Sequence, residues 1–167
     1  MPEQERAGPA AHAGYIAAVA AALEASGIPV ADWRADGRIP RDGWIPFDLV
    51  RQVRLHGWPV WDHDEAGIGW SEENGWHLFT VDDPAGRGIR TVEGLDLAVI
   101  AAPAAVARTV AGLAGLPLTG PAAQAALVGR GSEGRVADPF AGHRAEAVDP
   151  GFEEALLRYS GSRTKAR

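Results

Sequence analysis

The stretch WPVWDHDEAGIGWSEENGWHLFTVDD, residues 58–83, holds four of the chain's six tryptophans and most of its strand-forming residues. Asn74-Gly75 is the best two-residue hairpin signal in it, because both central positions of a type I′ turn need positive φ, which Asn and Gly tolerate. Closing that turn pairs Glu72 with His77, Trp70 with Phe79 and Ile68 with Val81, and a side-chain period of two puts these six on one face. The four apolar members, Trp70, Phe79, Ile68 and Val81, are then expected in the core. A preceding strand over residues 58–63 folds back through Asp64 to Gly67 and sets Trp61 and His63 on that face. The stretch therefore reads as a three-strand meander, with Trp76 opposite Trp70 in facing.

Working outward, three further segments frame the sheet. Over residues 12–26, Ile16, Val19 and Leu23 recur at helical spacing among alanines, with Gly27 and Pro29 as the stop. Pro103 fits the first turn of a second helix whose stripe is Val106, Val110 and Leu113, ended by Gly115 and Pro117. Residues 30–34 and the apolar run 95–101 read as strands, and residues 38–47 as an extended stretch kept at a sheet edge or out of the sheet by Pro40 and Pro46. Asp48, the Leu49 and Val53 pair and Gly57 favour a short helix over residues 49–56, although the same residues also fit an interrupted strand. The expected architecture is α+β: a mainly antiparallel sheet with the Trp-rich meander, flanked on one face by the N-terminal and post-sheet helices.

Domain boundaries follow composition. Residues 1–11 read as a disordered leader, 12–118 as the globular domain and 119–148 as linker-like, with a possible helical turn or two at 121–128. Residues 149–160 form an amphipathic helix and 161–167 a basic tail. In that helix Asp149 is a suitable N-cap, Pro150 fits N1, and Phe152, Leu156 and Tyr159 share a stripe. So short a helix needs burial to persist, so it is expected to dock on its own domain, on a second copy or on another protein.

With no cysteine there is no disulfide, thiolate nucleophile or cysteine metal site, which suits a reducing cytoplasm. No run approaches the roughly 18 apolar residues of a membrane span, so no membrane partner is expected. Between Asp62 and Asp96 nine acids face only Arg87 and Arg90, a local balance of −7 within a net charge of −6. Such a field repels phosphate backbones, so nucleic acid is not an expected partner.

Residues 15–23, the Val60-Trp61-Asp62 segment with Gly67-Ile68-Gly69-Trp70, and the closing strand feeding residues 103–110 together resemble a family of small uncharacterised actinobacterial proteins, a domain of unknown function. The resemblance covers residues 12–116. It implies no active site, cofactor or ligand set.

Three patterns point to chemistry and yield to plainer readings. Residues 62–73 match a calcium loop at Asp62, Asp64, Gly67, Ile68 and Glu73, but Ala66 removes a ligand and the flanks read as strands where that loop needs helices. His63 and His77 would sit about 10 Å apart across a middle strand, too far to share a zinc ion; a Glu72–His77 cross-strand pair is the plainer reading. Gly129 to Gly134 satisfies G-x-G-x-x-G without the strand before it and the helix after it that a dinucleotide loop requires. No cofactor, metal or catalytic residue is assigned.

The tryptophans carry the functional expectation. Exposed indoles rimmed by acids suit recognition, since the ring buries a large area at small entropic cost. The expected function is a non-enzymatic cytoplasmic binding or adaptor protein, contacting a protein partner or a second copy through Trp44, Trp58, Trp61, Trp76, Phe152, Leu156 and Tyr159. The alternative is a small-molecule enzyme or carrier with a pocket between sheet and helices near His63 and His77.

Overall fold

Helix α1 (Ala13–Ala25) and helix α2 (Pro103–Leu113) both end where a glycine adopts positive φ, at Gly27 (86°) and Gly115 (70°). In each case the next residue's N–H reaches back to the carbonyl five residues earlier, Ile28 to Leu23 and Leu116 to Ala111. That is the Schellman arrangement, which satisfies the last orphan carbonyls of a helix. The expected helix ends are therefore correct. The computed structural model describes residues 11–83, 85, 87–117 and 138–161. The leader, the 121–128 turns, the 129–134 glycine pattern and the end of the basic tail lie outside the described residues.

Five strands form one antiparallel sheet in the order β1-β2-β5-β6-β7: β1 (Arg34–Asp36), β2 (Asp42–Pro46), β5 (Glu65–Ser71), β6 (Gly75–Asp82) and β7 (Ile89–Gly94). A separate two-residue hairpin joins β3 (Arg54–Leu55) to β4 (Trp58–Pro59). The fold is α+β, as expected. Ile45, Ile68, Trp70 and Trp76 share the sheet's inner face and are buried. Helix α1 lies across them, with Tyr15 edge-on to both indoles at 5.9 Å and Ile16 over Gly43, where a Cβ would come within 2.4 Å of the Ile16 Cδ1. Helix α2 packs on α1.

The hairpin register differs from the expected one. Trp70 pairs with Trp76 and Ile68 with Leu78, a shift of three residues from a Trp70–Phe79 pairing. An odd shift exchanges the two faces, so Trp76 joins Trp70 in the core and Phe79 and His77 move to the outer face. The cause is Glu72. Of Asn74 and Gly75 only Gly75 takes positive φ, 70°, and residues 72–74 form a wider turn. That turn tucks the Glu72 carboxylate inward, where it accepts from the Arg41 N–H at 2.7 Å and the Arg41 guanidinium at 2.9 Å. The type I′ geometry, positive φ at both central residues, occurs instead at His56-Gly57 (53° and 84°) between β3 and β4. The helix expected over residues 49–56 is absent for that reason; Asp48 instead caps a turn, accepting from the N–H groups of Val50 and Arg51.

Four strand expectations need correction as well. Residues 58–63 do not enter the main sheet, and the third strand of the meander is β7. Residues 95–101 are irregular, because their backbone serves other partners: the Trp70 indole N–H donates to the Val99 carbonyl at 2.7 Å, and the Val99 N–H to Asp138 at 2.9 Å. Strand β2 is internal rather than an edge, since Pro40 precedes it and Pro46 closes it. Of residues 30–34, Val30 forms only a bridge to Phe47, and β1 begins at Arg34.

Helix α3 (Pro150–Leu157) starts as the sequence suggests, with Asp149 accepting from the N–H groups of Gly151 and Phe152 and Pro150 at the first turn. It docks on its own chain. Phe152 and Leu156 are fully buried, Phe152 stacks with Trp70 at 6.5 Å, and Tyr159 meets Tyr15 at 5.2 Å. Gly14 permits this approach, for a Cβ there would lie 2.3 Å from the Tyr159 carbonyl. Residues 138–148, read as linker, pack with it: the Ala145 N–H donates to Glu73 and Ala145 is buried.

Candidate functional site

The three helices of the described residues pack on the inner side of the sheet, and the outer face carries its own side-chain layer. Strand alternation sets Trp44 from β2, Gly67 and Gly69 from β5, His77 and Phe79 from β6, and Arg90 and Val92 from β7 on that face. Trp44 is directly opposite Gly69, and His77 opposite Gly69 from the other side. Neither glycine could carry a side chain: a Cβ on Gly67 would lie 2.8 Å from the Trp44 ring and one on Gly69 2.4 Å from the His77 ring. The two glycines thus form a floor on which the rings lie. Trp44 meets Phe79 edge-on at a centroid separation of 4.0 Å, which locks the indole. The Arg90 guanidinium sits 5.9 Å from the Phe79 centroid.

Trp44 divides two grooves. One, of about 480 Å³, is lined by Asp42, Ser71, His77, Phe79, Arg90 and Val92 together with the indole. The other, of about 440 Å³, is lined by Trp44, Arg34, Leu49, Asp48, Asp64 and Glu65. Burial lowers the His77 pKa, so its imidazole is neutral at pH 7.

The expected contact residues separate into two groups. Trp44 is half-buried within this face, and Trp58 is 73% exposed at the tip of the β3–β4 hairpin. Trp61 is buried against Phe47 at 5.2 Å, Trp76 donates its indole N–H to the Tyr15 hydroxyl, and Phe152 and Leu156 are core. As contact residues for a partner these four are corrected: the fold itself covers them. Tyr159 is partly buried against Tyr15. His63 and His77 do not converge, since His63 is paired with Asp82 at 3.1 Å. Glu72 is not the partner of His77 but of Arg41. The calcium pattern is interrupted by β5, which runs through its middle and separates Asp64 from Glu73. Sequence reasoning missed the Gly67-x-Gly69 floor beneath His77-x-Phe79. The signal is in the sequence, but only the observed register aligns the two pairs.

A second polar cluster lies under the inner face. The Arg41 guanidinium bridges Glu72 at 2.9 Å and Glu153 at 2.6 Å, and His143 Nε2 lies 3.4 Å from Glu72 while stacking on Phe152 at 3.8 Å. Burial pushes the Glu72 carboxyl up, but hydrogen bonds from Arg41 outweigh it and hold the group below the usual range. His12, fully buried and stacked on Trp70, donates from Nε2 to the Asp42 carbonyl at 2.7 Å. A carbonyl can only accept, so Nε2 carries the proton, and Nδ1 is left buried without a hydrogen-bond partner among the described residues.

Protonating His12 would bury a charge, and burial accordingly lowers its pKa. Both depressed histidines, His12 and His77, are neutral in the fold at a pH where the unfolded chain, at about 6.5, already binds protons. Stability is therefore full above about pH 6.5 and declines as pH falls below it. Urea melts at pH 7.5 and 5.5 should show this decline. The double variant His12→Gln/His77→Gln, in which glutamine retains a donor for the Asp42 carbonyl, should flatten it; an unchanged slope would refute the assignment.

A family model described as a family of unknown function, DUF6292, matches residues 15–112. The chain belongs to the DUF6292 family. The matched span runs from the Tyr15 that touches both core indoles to the last turn of α2, and so includes the whole sheet and the outer-face layer. Helix α3, which completes the core over Trp70, lies beyond it. No curated protein is detectably similar to the chain. No solved structure is detectably similar either. Among the described residues no helix is long and apolar enough to cross a membrane.

Proposed function

We propose that this DUF6292 protein is a non-enzymatic, cytoplasmic recognition module that holds an extended, cationic segment of a partner protein across the outer sheet face, with Trp44 as anchor. The observation that carries the reading is the mounting of Trp44. A half-exposed indole is wedged against Phe79 over side-chain-free Gly67, with a groove on each side. A large ring already fixed in place loses little entropy on binding, the property that makes tryptophan a frequent hot spot. Beside it Asp64 and Glu65 outnumber Arg34, Asp48 being paired with Arg51 at 2.8 Å, and the local charge of the 62–96 region extends that acidic field toward a basic chain. Among the described residues, Tyr15, Trp70, Trp76 and Phe152 occupy the space between sheet and helices in which the small-molecule alternative would need its pocket.

The test is a random peptide display selection against the whole chain, followed by calorimetry of the enriched sequences. Enriched peptides should be rich in arginine or lysine. Trp44→Ala should weaken them by about thirtyfold or more, the scale of a hot spot of 2 kcal/mol, while near-UV circular dichroism of the fold is retained. Enrichment of acidic or purely apolar peptides, or equal affinity in Trp44→Ala, would sink the reading.

A further inference from the structure

From the edge of the sheet that no strand among the described residues covers, we infer that β7 pairs with β7 of a second copy, joining two sheets into one antiparallel ten-stranded sheet across a two-fold axis. The inference is independent of the partner proposed for the outer face. It begins with which backbone groups β7 leaves open. The Leu95 N–H donates to the Trp76 carbonyl at 2.9 Å, in the same register that pairs His77 with Gly94. In an antiparallel ladder the bonded residues alternate, so Ile89, Thr91, Glu93 and Leu95 face β6. Arg90, Val92 and Gly94 consequently point their N–H and C=O groups away from the sheet. All six residues of β7 are exposed, with Ile89 at 65% and Val92 at 60%. The strand carries two charges, Arg90 and Glu93, but no proline, lysine or bulge of the kind that commonly protects an edge. At the opposite edge β1 is only three residues long.

Side chains select the second copy as occupant, because the strand is self-complementary in one register. A two-fold axis normal to the sheet keeps each face continuous, so it must pass midway between one residue and that residue's own copy. Centring on Arg90 would oppose two guanidinium groups, and centring on Glu93 two carboxylates. Centring on Thr91 would set exposed Ile89 against the copy's Glu93. Centring on Val92 matches every position: Val92 faces Val92, Ile89 faces Leu95, Thr91 faces Glu93, and Arg90 faces Gly94. The last pairing leaves room for the Arg90 side chain to stay over Phe79. Both exposed apolar side chains of the strand gain apolar partners, and no like charges meet.

A single strand pairing buries less than the roughly 1,200 Å² of a standard stable interface, so the dimer should be concentration-dependent. The full chain is to be followed by sedimentation velocity and light scattering from about 10 to 500 µM, with amide exchange at both ends of the range. The expected result is a rise from one to two copies of the 17.5 kDa chain, with slowed exchange at Arg90, Val92 and Gly94 only at high concentration. Val92→Pro removes an outward N–H and no bond to β6, and Val92→Lys opposes two charges at the axis. Each should raise the dimer dissociation constant at least tenfold with near-UV dichroism retained; if the proline variant unfolds, the lysine variant decides. A wild-type chain that stays monomeric at 500 µM overturns the inference. So does a dimer unaffected by the variants, or concentration-dependent protection elsewhere. A monomer whose β7 is protected only by an added peptide would overturn it as well, since the edge would then belong to another protein.

Discussion

Truncation after Val148 is expected to abolish the native fold rather than trim it. The removed residues include Phe152 and Leu156, both fully buried, and Glu153, one of the two carboxylates on Arg41. Deleting a core phenylalanine costs about 3–5 kcal/mol and a core leucine about 2–5 kcal/mol. Their sum is comparable to the roughly 5–15 kcal/mol that holds a typical domain together. Beyond area, the truncation would uncover Trp70 and leave Arg41 with a single carboxylate. Near-UV circular dichroism and tryptophan emission of the 1–148 chain should show lost tertiary packing. A cooperative melt within a few degrees of the full chain would mean that α3 is peripheral. The point bears on the family: the segment that matches DUF6292 ends at residue 112, yet the core over its central tryptophan is closed by a helix beginning at Pro150.

The contrast between α3 and the central hairpin shows which parts of the fold were legible in the sequence. Asp149-Pro150, Gly27 and Gly115 act on backbone groups within a few residues of themselves, so their meaning is local and readable. Asn74-Gly75 also states a local preference, but it is outweighed by Glu72 meeting Arg41, which lies 31 residues away in the chain. No pattern of neighbours reports that pairing. Gly57 failed for a different reason: positive φ serves a helix C-terminus and a type I′ turn equally well, and His56 accepted the second positive φ that decided between them. The exchange of faces carries over to the site. A Trp70–Phe79 register sets Trp76 outside and Phe79 inside, and so hides the glycine floor under Trp44 and His77. Trp44 and Trp58 reach the surface under either register, since both neighbour prolines, where chains usually run outside.

Arg41→Met should destabilise the protein by about 3–5 kcal/mol, the usual cost of removing one member of a buried ion cluster. The Arg41 side chain is 5% exposed and Glu72 0%, so no water replaces the lost guanidinium. Methionine fills much of the volume and can still pack on Phe152, over whose ring the guanidinium lies at 5.8 Å. The loss therefore reports charge and hydrogen bonding rather than a cavity. Glu72 would keep the Arg41 backbone N–H and His143 but lose its counter-charge, and Glu153 would be freed from the hydrogen bonds that fix the first turn of α3. For a domain of this size the melting temperature should fall by roughly 10 °C. Adding Glu72→Gln removes the stranded charge and should recover part of the loss, because a neutral amide costs less to bury than a carboxylate. If the double variant is less stable than Arg41→Met alone, the wide turn at residues 72–74 depends on the carboxylate for its hydrogen-bond geometry and not on its pairing with Arg41. If Arg41→Met melts within about 2 °C of the native chain, the cluster does not anchor the register, and the explanation offered for the Asn74-Gly75 turn fails with it.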